Sequence, residues 1–201
     1  DIKIGMTGAM SGPSKELGLQ MKLGLETCFD AINSQGGIGD RKIKLVALDD
    51  GYESEEAEKH VRKLIDEEKV IALVGCVGTP TAMETVPIAI EKKTLFFGGF
   101  TGAKSLLRDP PDRYVINFRA SYAQETEKMI AGLLEIGIRP FEIAFFTQEG
   151  PFGKAGYTGA TDALKKRGYK TEKLVRCSYT RNTVDVDQAV LEIVHSKIPP
   201  R

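Results

Sequence analysis

Residues 70–82, VIALVGCVGTPTA, decide the fold, because they read as a buried strand running straight into the start of a helix. Val70, Ile71, Ala72, Leu73 and Val74 form a short apolar run and Gly75 and Gly78 mark a turn. Thr79-Pro80 then matches an N-cap followed by proline at the first helical position. A helix starting there presents N–H groups and the positive end of its dipole, which favour an anion such as a carboxylate. The plainer alternative is that Thr79 only caps its own helix.

Working outward, the same unit recurs. Strand-like runs near residues 2–6, 43–49, 70–75, 94–97, 142–146 and 171–177 alternate with helix-period segments. Residues 17–33 carry Leu17, Met21, Leu25, Phe29 and Ile32 at helical spacing. Residues 55–66 (Ala57, Val61, Leu64, Ile65), 81–91, 125–136 and 153–166 repeat the pattern. Alternation of this kind is that of parallel β-α-β units and predicts an α/β fold. One region breaks it: 105–119 contains Pro110-Pro111 and then YVINF, a loop followed by an extended run. A domain crossing at about 118–120 divides the chain into an N-terminal α/β lobe, residues 1–119, with four strands, and the start of a second α/β lobe, residues 120–201. The second lobe gathers two strands and three helices. So small a parallel sheet exposes an edge and an uncovered face, so that lobe is expected to be truncated.

The 28 basic and 28 acidic residues cancel, which argues against a nucleic-acid partner, whose binding needs a basic surface to displace counterions. No apolar run is long enough to span a bilayer, so no direct membrane insertion is expected. The opening DIKIGM has neither the basic region nor the apolar core of a signal peptide, which leaves a processed mature form open. Cys28, Cys76 and Cys177 are an odd number in a chain large enough not to need disulfides.

Enzyme motifs are weak throughout. The first strand runs into GMTGAMSGP, with glycines at 5, 8 and 12, which is not the G-x-G-x-x-G of a dinucleotide site. Gly153-Lys154 is followed by Ala155 and is no P-loop. Asp49-Asp50 could hold Mg²⁺ if it followed the first strand, as in a receiver domain, but it follows the second and reads as a solvated turn. His60 and His195 lie in charged helical stretches without partners at metal-ligand spacing and read as surface residues. Cys76 has no basic neighbour in sequence and reads as an inert buried thiol. No cofactor or metal is indicated. What remains are the turns at the C-terminal ends of the first-lobe strands, residues 11–17, 77–79 and 98–102, where an open α/β sheet binds ligands. They offer small residues, hydroxyls and backbone, suited to holding a ligand rather than transforming it. GPFGKAG at 150–156 places Phe152 in the equivalent loop of the second lobe, where it could also be a staple for its own helix.

In order along the chain, MSGP with Leu17-Gly18, FDAINSQGGIGDRKIKLVALDD (29–50), IALVGCVGTPTA (71–82), FFGGFTGA (96–103) and FTQEGPFGKAGYTGATDALKKRGY (146–169) resemble the type I periplasmic binding proteins, specifically the branched-chain amino-acid (leucine/isoleucine/valine-type) receptors of ABC transporters. The resemblance implies two Rossmann-like lobes with parallel sheets joined by a hinge, the second incomplete in this chain. It implies an extracytoplasmic, periplasmic receptor that captures a small carboxylated solute, an amino acid or related carboxylate, between its lobes and delivers it to a membrane permease. By position, Thr79 with the backbone of Val77 and Gly78 would meet the ligand carboxylate. Phe100 and Gly102 would offer backbone groups to the amino-acid head, Thr101 a hydroxyl, and Phe152 would close from the second lobe. Leu17 stands where leucine receptors have an aromatic, and Gly102 where threonine is usual, so a branched-chain ligand is not implied as such. A disulfide of some members would need cysteines at Tyr52 and Gly78 and is absent. The family's ammonium-neutralising acid would lie beyond Arg201. A sensory module of the same fold, signalling through closure, is the second reading; an α/β enzyme is the third.

Overall fold

The computed structural model describes residues 1–196, which divide into two compact units, Asp1–Arg119 and Ala120 onward. The first unit runs β1 (Ile2–Gly8), α1 (Lys15–Ser34), β2 (Ile43–Asp49), α2 (Ser54–Asp66), β3 (Ala72–Val74), α3 (Thr79–Glu91), β4 (Leu95–Phe97) and β5 (Val115–Ile116). All strands pair in parallel, in the order β2-β1-β3-β4-β5. That order reverses direction at β1, so the C-terminal ends of β1 and β3 flank a topological switch point, where such sheets open a crevice. Met6, Leu64, Leu73 and Phe96 are fully buried and anchor the core, with Val61 and Val86 beside them.

The first unit holds five strands rather than the expected four. Part of YVINF pairs with β4, through Phe96 N–H to the Tyr114 carbonyl (2.8 Å) and Gly98 N–H to that of Ile116 (2.8 Å). Its ladder is two residues long, too short for any period to show.

The second unit runs α4 (Tyr122–Glu135), β6 (Ala144–Gln148), α5 (Pro151–Lys166), β7 (Val175–Tyr179) and α6 (Asp187–Val194). β6 and β7 pair in parallel from Ala144–Val175 to Gln148–Tyr179. Their core is Ile130, Ile143, Ala160, Ala163 and Leu164. Helix α4 begins three residues before the expected point because Ser121 and Gln124 form a capping box, Gln124 N–H donating to Ser121 Oγ and Ser121 N–H to Gln124 Oε1. β7 begins after Thr171, because a turn closed by Leu174 N–H on the Thr171 carbonyl (3.4 Å) uses up the first residues of the expected run.

Two glycines mark where helix meets strand end. A Cβ on Gly18 would overlap the Ala9 carbonyl oxygen, and one on Gly153 the Gln148 carbonyl oxygen, so each helix begins hard against the end of the strand before it. Gly156, one turn further along α5, faces open space. Gly153→Ala should therefore destabilise the protein by about 1–3 kcal/mol through overpacking. Gly156→Ala should stabilise it by roughly 0.5–1 kcal/mol through helix propensity. Urea unfolding of the two variants checks the opposite signs.

The Asp49-Asp50 doublet is not the solvated turn expected. Asp49 is exposed, and its carboxylate accepts from the N–H groups of Met10 (2.7 Å) and Gly51 (2.9 Å). Partial burial works against its charge, but these bonds and those from Ser11 outweigh it and hold the pKa below the usual range. Asp50 is only 2 % exposed; its Oδ2 accepts from Thr7 Oγ1 (2.8 Å) and its Oδ1 from Tyr52 N–H (2.8 Å). Burial pushes the Asp50 carboxyl up to about 6, against those two bonds and with help from the charges of Asp49 and Glu53. Because the folded pKa lies above the unfolded one, the native state holds this proton more tightly. Its contribution is full below about pH 4 and is lost as pH rises through 6. Relative to Asp50→Asn, the native protein should lose up to about 3 kcal/mol between pH 4 and pH 7, at roughly 1.4 kcal/mol per pH unit. Urea unfolding of both proteins across that range checks it.

Candidate functional site

The site grows from the turns that follow β1, β3 and β4. Past the end of the sheet the ladder continues: Val77 N–H donates to the Thr7 carbonyl (3.1 Å), Phe100 N–H to the Cys76 carbonyl (2.8 Å) and Gly78 N–H to the Phe100 carbonyl (3.4 Å). Val77 and Phe100 form a parallel bridge. Residues 77–79 and 100–102 thus lie side by side at the C-terminal ends of β3 and β4.

Between them runs a hydroxyl pair. Thr79 Oγ1 lies 2.7 Å from Thr101 Oγ1, with both residues buried. Thr101 Oγ1 also accepts from Ala103 N–H (3.1 Å), and the Thr101 carbonyl accepts from Asn117 Nδ2 (3.0 Å). The expected cap is corrected here. Gly78, at φ 114°, is the N-cap of α3, and Thr79 is the first helical residue, with Pro80 second. No side chain caps this helix, so the Thr79 hydroxyl serves the neighbouring turn instead. Gly78 is required twice over, by its positive φ and by Tyr52, whose ring a Cβ there would overlap.

Leu17 and Phe100, 45 % and 39 % exposed, line one groove of about 480 Å³ with Met21 and Leu25 of α1. The Arg119 guanidinium lies 4.7 Å over the Phe100 ring. The first unit therefore brings together Leu17, Val77, Gly78, Thr79, Phe100, Thr101 and Gly102. Phe152 belongs to the second unit. It stands at the start of α5, 38 % exposed, with its ring edge-on to Tyr122 at 5.3 Å, so it packs on α4 rather than stapling its own helix.

Sequence reasoning missed Asp50, Tyr52, Asn117 and Arg119. The tyrosine that follows DDG offered no signal of its own: only the fold shows Tyr52 in the left-handed region (φ 66°) and 5 % exposed, against Gly78. Cys76 is buried, and burial pushes its thiol up to about 12, so it is no thiolate at neutral pH. All three cysteines are unpaired. His60 is half-buried rather than at the surface, with Nδ1 shielded from solvent, and burial lowers its pKa. Among the described residues no group of three or more His, Cys, Asp or Glu side chains is arranged to hold a metal ion. Among them too, no helix is long and apolar enough to cross a membrane.

Known proteins share this architecture. The Leu/Ile/Val-binding protein homolog 7 of Brucella abortus is 28 % identical over 203 residues, covering 96 % of this chain and 49 % of that protein. The crystal structure of a possible leucine/isoleucine/valine-binding protein from Rhodopirellula baltica superposes with a TM-score of 0.92 at 40 % identity, over 99 % of this chain and 53 % of that one. A substrate-binding periplasmic protein from Ralstonia solanacearum gives 0.90 at 32 % identity, over 98 % and 55 %. The chain spans about half the length of these relatives. Residues 1–199 match the family model described as periplasmic binding protein, and the chain belongs to that family.

Proposed function

We propose that this chain supplies the ligand-bearing part of an extracytoplasmic solute-binding receptor for a small carboxylated solute, most simply an amino acid, which the receptor hands to the permease of an ABC transporter. Residues 1–119 serve as one lobe and residues 120–201 as the start of the second. The observation that carries the reading is the Thr79–Thr101 hydroxyl pair, set between two turns at the switch point of the sheet. A hydroxyl pair can reverse the direction of its bond, so Thr79 can donate to a carboxylate oxygen or accept from an ammonium. The start of α3 and the backbone at Gly102 add the dipole that favours the carboxylate, while the N–H groups of Val77 and Gly78 are engaged by the Thr7 and Phe100 carbonyls and hold the turn in place. Leu17 and Phe100 offer apolar surface to the solute's side chain, and in the second unit Phe152 is the exposed aromatic proposed to meet the solute. These groups hold and orient a solute, and no covalent step is assigned to them. Relatives named for leucine, isoleucine and valine support an amino acid as the ligand class.

Calorimetry of the intact protein against the twenty amino acids and small organic acids tests the reading. Thr79→Val should weaken binding by about 1–3 kcal/mol, the range for a buried charged group that loses a partner. Unchanged affinity would remove Thr79 from the site.

A further inference from the structure

We infer that Asp50 is a positioning residue for the turn at 77–79, which it holds through Thr7 on one side and Tyr52 on the other. The inference rests on the proposed reading of that turn as the one that bears the ligand. One arm runs from Asp50 Oδ2 to the Thr7 hydroxyl (2.8 Å), and the Thr7 carbonyl in turn accepts Val77 N–H (3.1 Å). The other runs from Asp50 Oδ1 to Tyr52 N–H (2.8 Å), and the Tyr52 ring lies in the space that a side chain at Gly78 would need. Asp50 N–H adds a bond to the Gly8 carbonyl (3.2 Å), which fixes the carboxylate to the end of β1. Both arms therefore end on adjacent residues of one turn, Val77 and Gly78, and the next residue, Thr79, pairs with Thr101.

A purely structural carboxylate would be an odd choice here. Ionised and buried, it costs stability, and a well-packed apolar group would be the more stable occupant. An apolar residue, however, could not accept Tyr52 N–H while Tyr52 sits at φ 66°, nor orient the Thr7 hydroxyl. The carboxylate is suited to holding two donors, one near the end of β1 and one in the turn after β2, at a fixed spacing, which is what a rigid ligand turn needs.

Hydrogen exchange of the intact protein tests this without a ligand. In Asp50→Ala the amides of Val77 and Gly78 should exchange on the order of tenfold faster, while those of β1 and α2 keep their native rates. Asp50→Asn, with the same shape and an acceptor oxygen, should restore slow exchange at Val77 and Gly78. Should Asp50→Ala fail to fold, Thr7→Val cuts one arm alone and should speed Val77 in the same way. Exchange unchanged at 77–78, or accelerated equally through the first unit, would overturn the inference. Calorimetry should show roughly tenfold weaker binding by Asp50→Ala of whichever amino acid the native protein binds, with recovery in Asp50→Asn. If the native protein binds none of the twenty, the ligand reading fails on its own, and the exchange rates still decide whether Asp50 holds the turn.

Discussion

The interaction on which the first unit depends is the continuation of its parallel ladder beyond the strands themselves. Strands β3 and β4 are three residues each, yet Gly75, Val77 and Phe100 carry on donating to neighbouring carbonyls after the strands end. Loops at the end of a sheet ordinarily lose their backbone partners to water and gain mobility. Here the donors Val77 and Phe100 and their acceptors Thr7 and Cys76 tie the end of β1 and the turns after β3 and β4 into one surface. The small, hydroxyl-rich composition of those turns follows, because bulky side chains would prevent so close an approach. Gly8, whose Cβ would press on Val77, and Gly99, whose Cβ would press on Phe96 and Leu106, show how little room remains.

Each unit solves the strand-to-helix passage in the same way. Gly18 sets α1 against Ala9, and Gly153 sets α5 against Gln148. A side chain at either place would push the helix away from the end of its strand and move the loop between them. Gly159 plays a related part deeper in the second unit, where a Cβ would meet Thr126 and Ala123 of α4. Helices α4 and α5 therefore lie close, and Ala160, Ala163 and the fully buried Leu164 of α5 share one core with Ile130 of α4.

The α/β architecture was legible because its signals are local: apolar runs of strand length, helical spacing, and glycine or proline punctuation. The grouping of 77–79 with 100–102 was legible because parallel strands bring their C-terminal ends to one edge. What stayed hidden depends on distant partners. Thr79-Pro80 has the local form of a cap and first turn, but Tyr52 requires glycine at 78, and the glycine takes over the cap. Asp49 and Asp50 look alike in sequence. At the end of a strand successive side chains point to opposite faces, so one meets water and the other the space behind Thr7. Ser121 and Gln124 were a readable capping box, so the start of α4 was available to a closer reading.

Strain in the first unit is also unevenly placed. Besides glycines, the left-handed region holds Asp40, Tyr52, Lys69 and Lys93. Lys69 and Lys93 follow the ends of α2 and α3, where such a conformation closes the last turn and is common. Asp40 lies in the GIGD turn before β2. Tyr52 differs, being a bulky aromatic, buried, and next to a buried carboxylate. A non-glycine residue in that region costs on the order of 1–3 kcal/mol and persists only where its surroundings over-determine it. The Asp50 bond to its N–H and the close fit of its ring to Gly78 are two such determinants. Buried charge, backbone strain and an obligatory glycine thus meet at one point, one residue before the Thr79 of the Thr79–Thr101 pair. That is the distribution expected when distant parts of a fold hold a turn in a conformation its local sequence would not adopt alone.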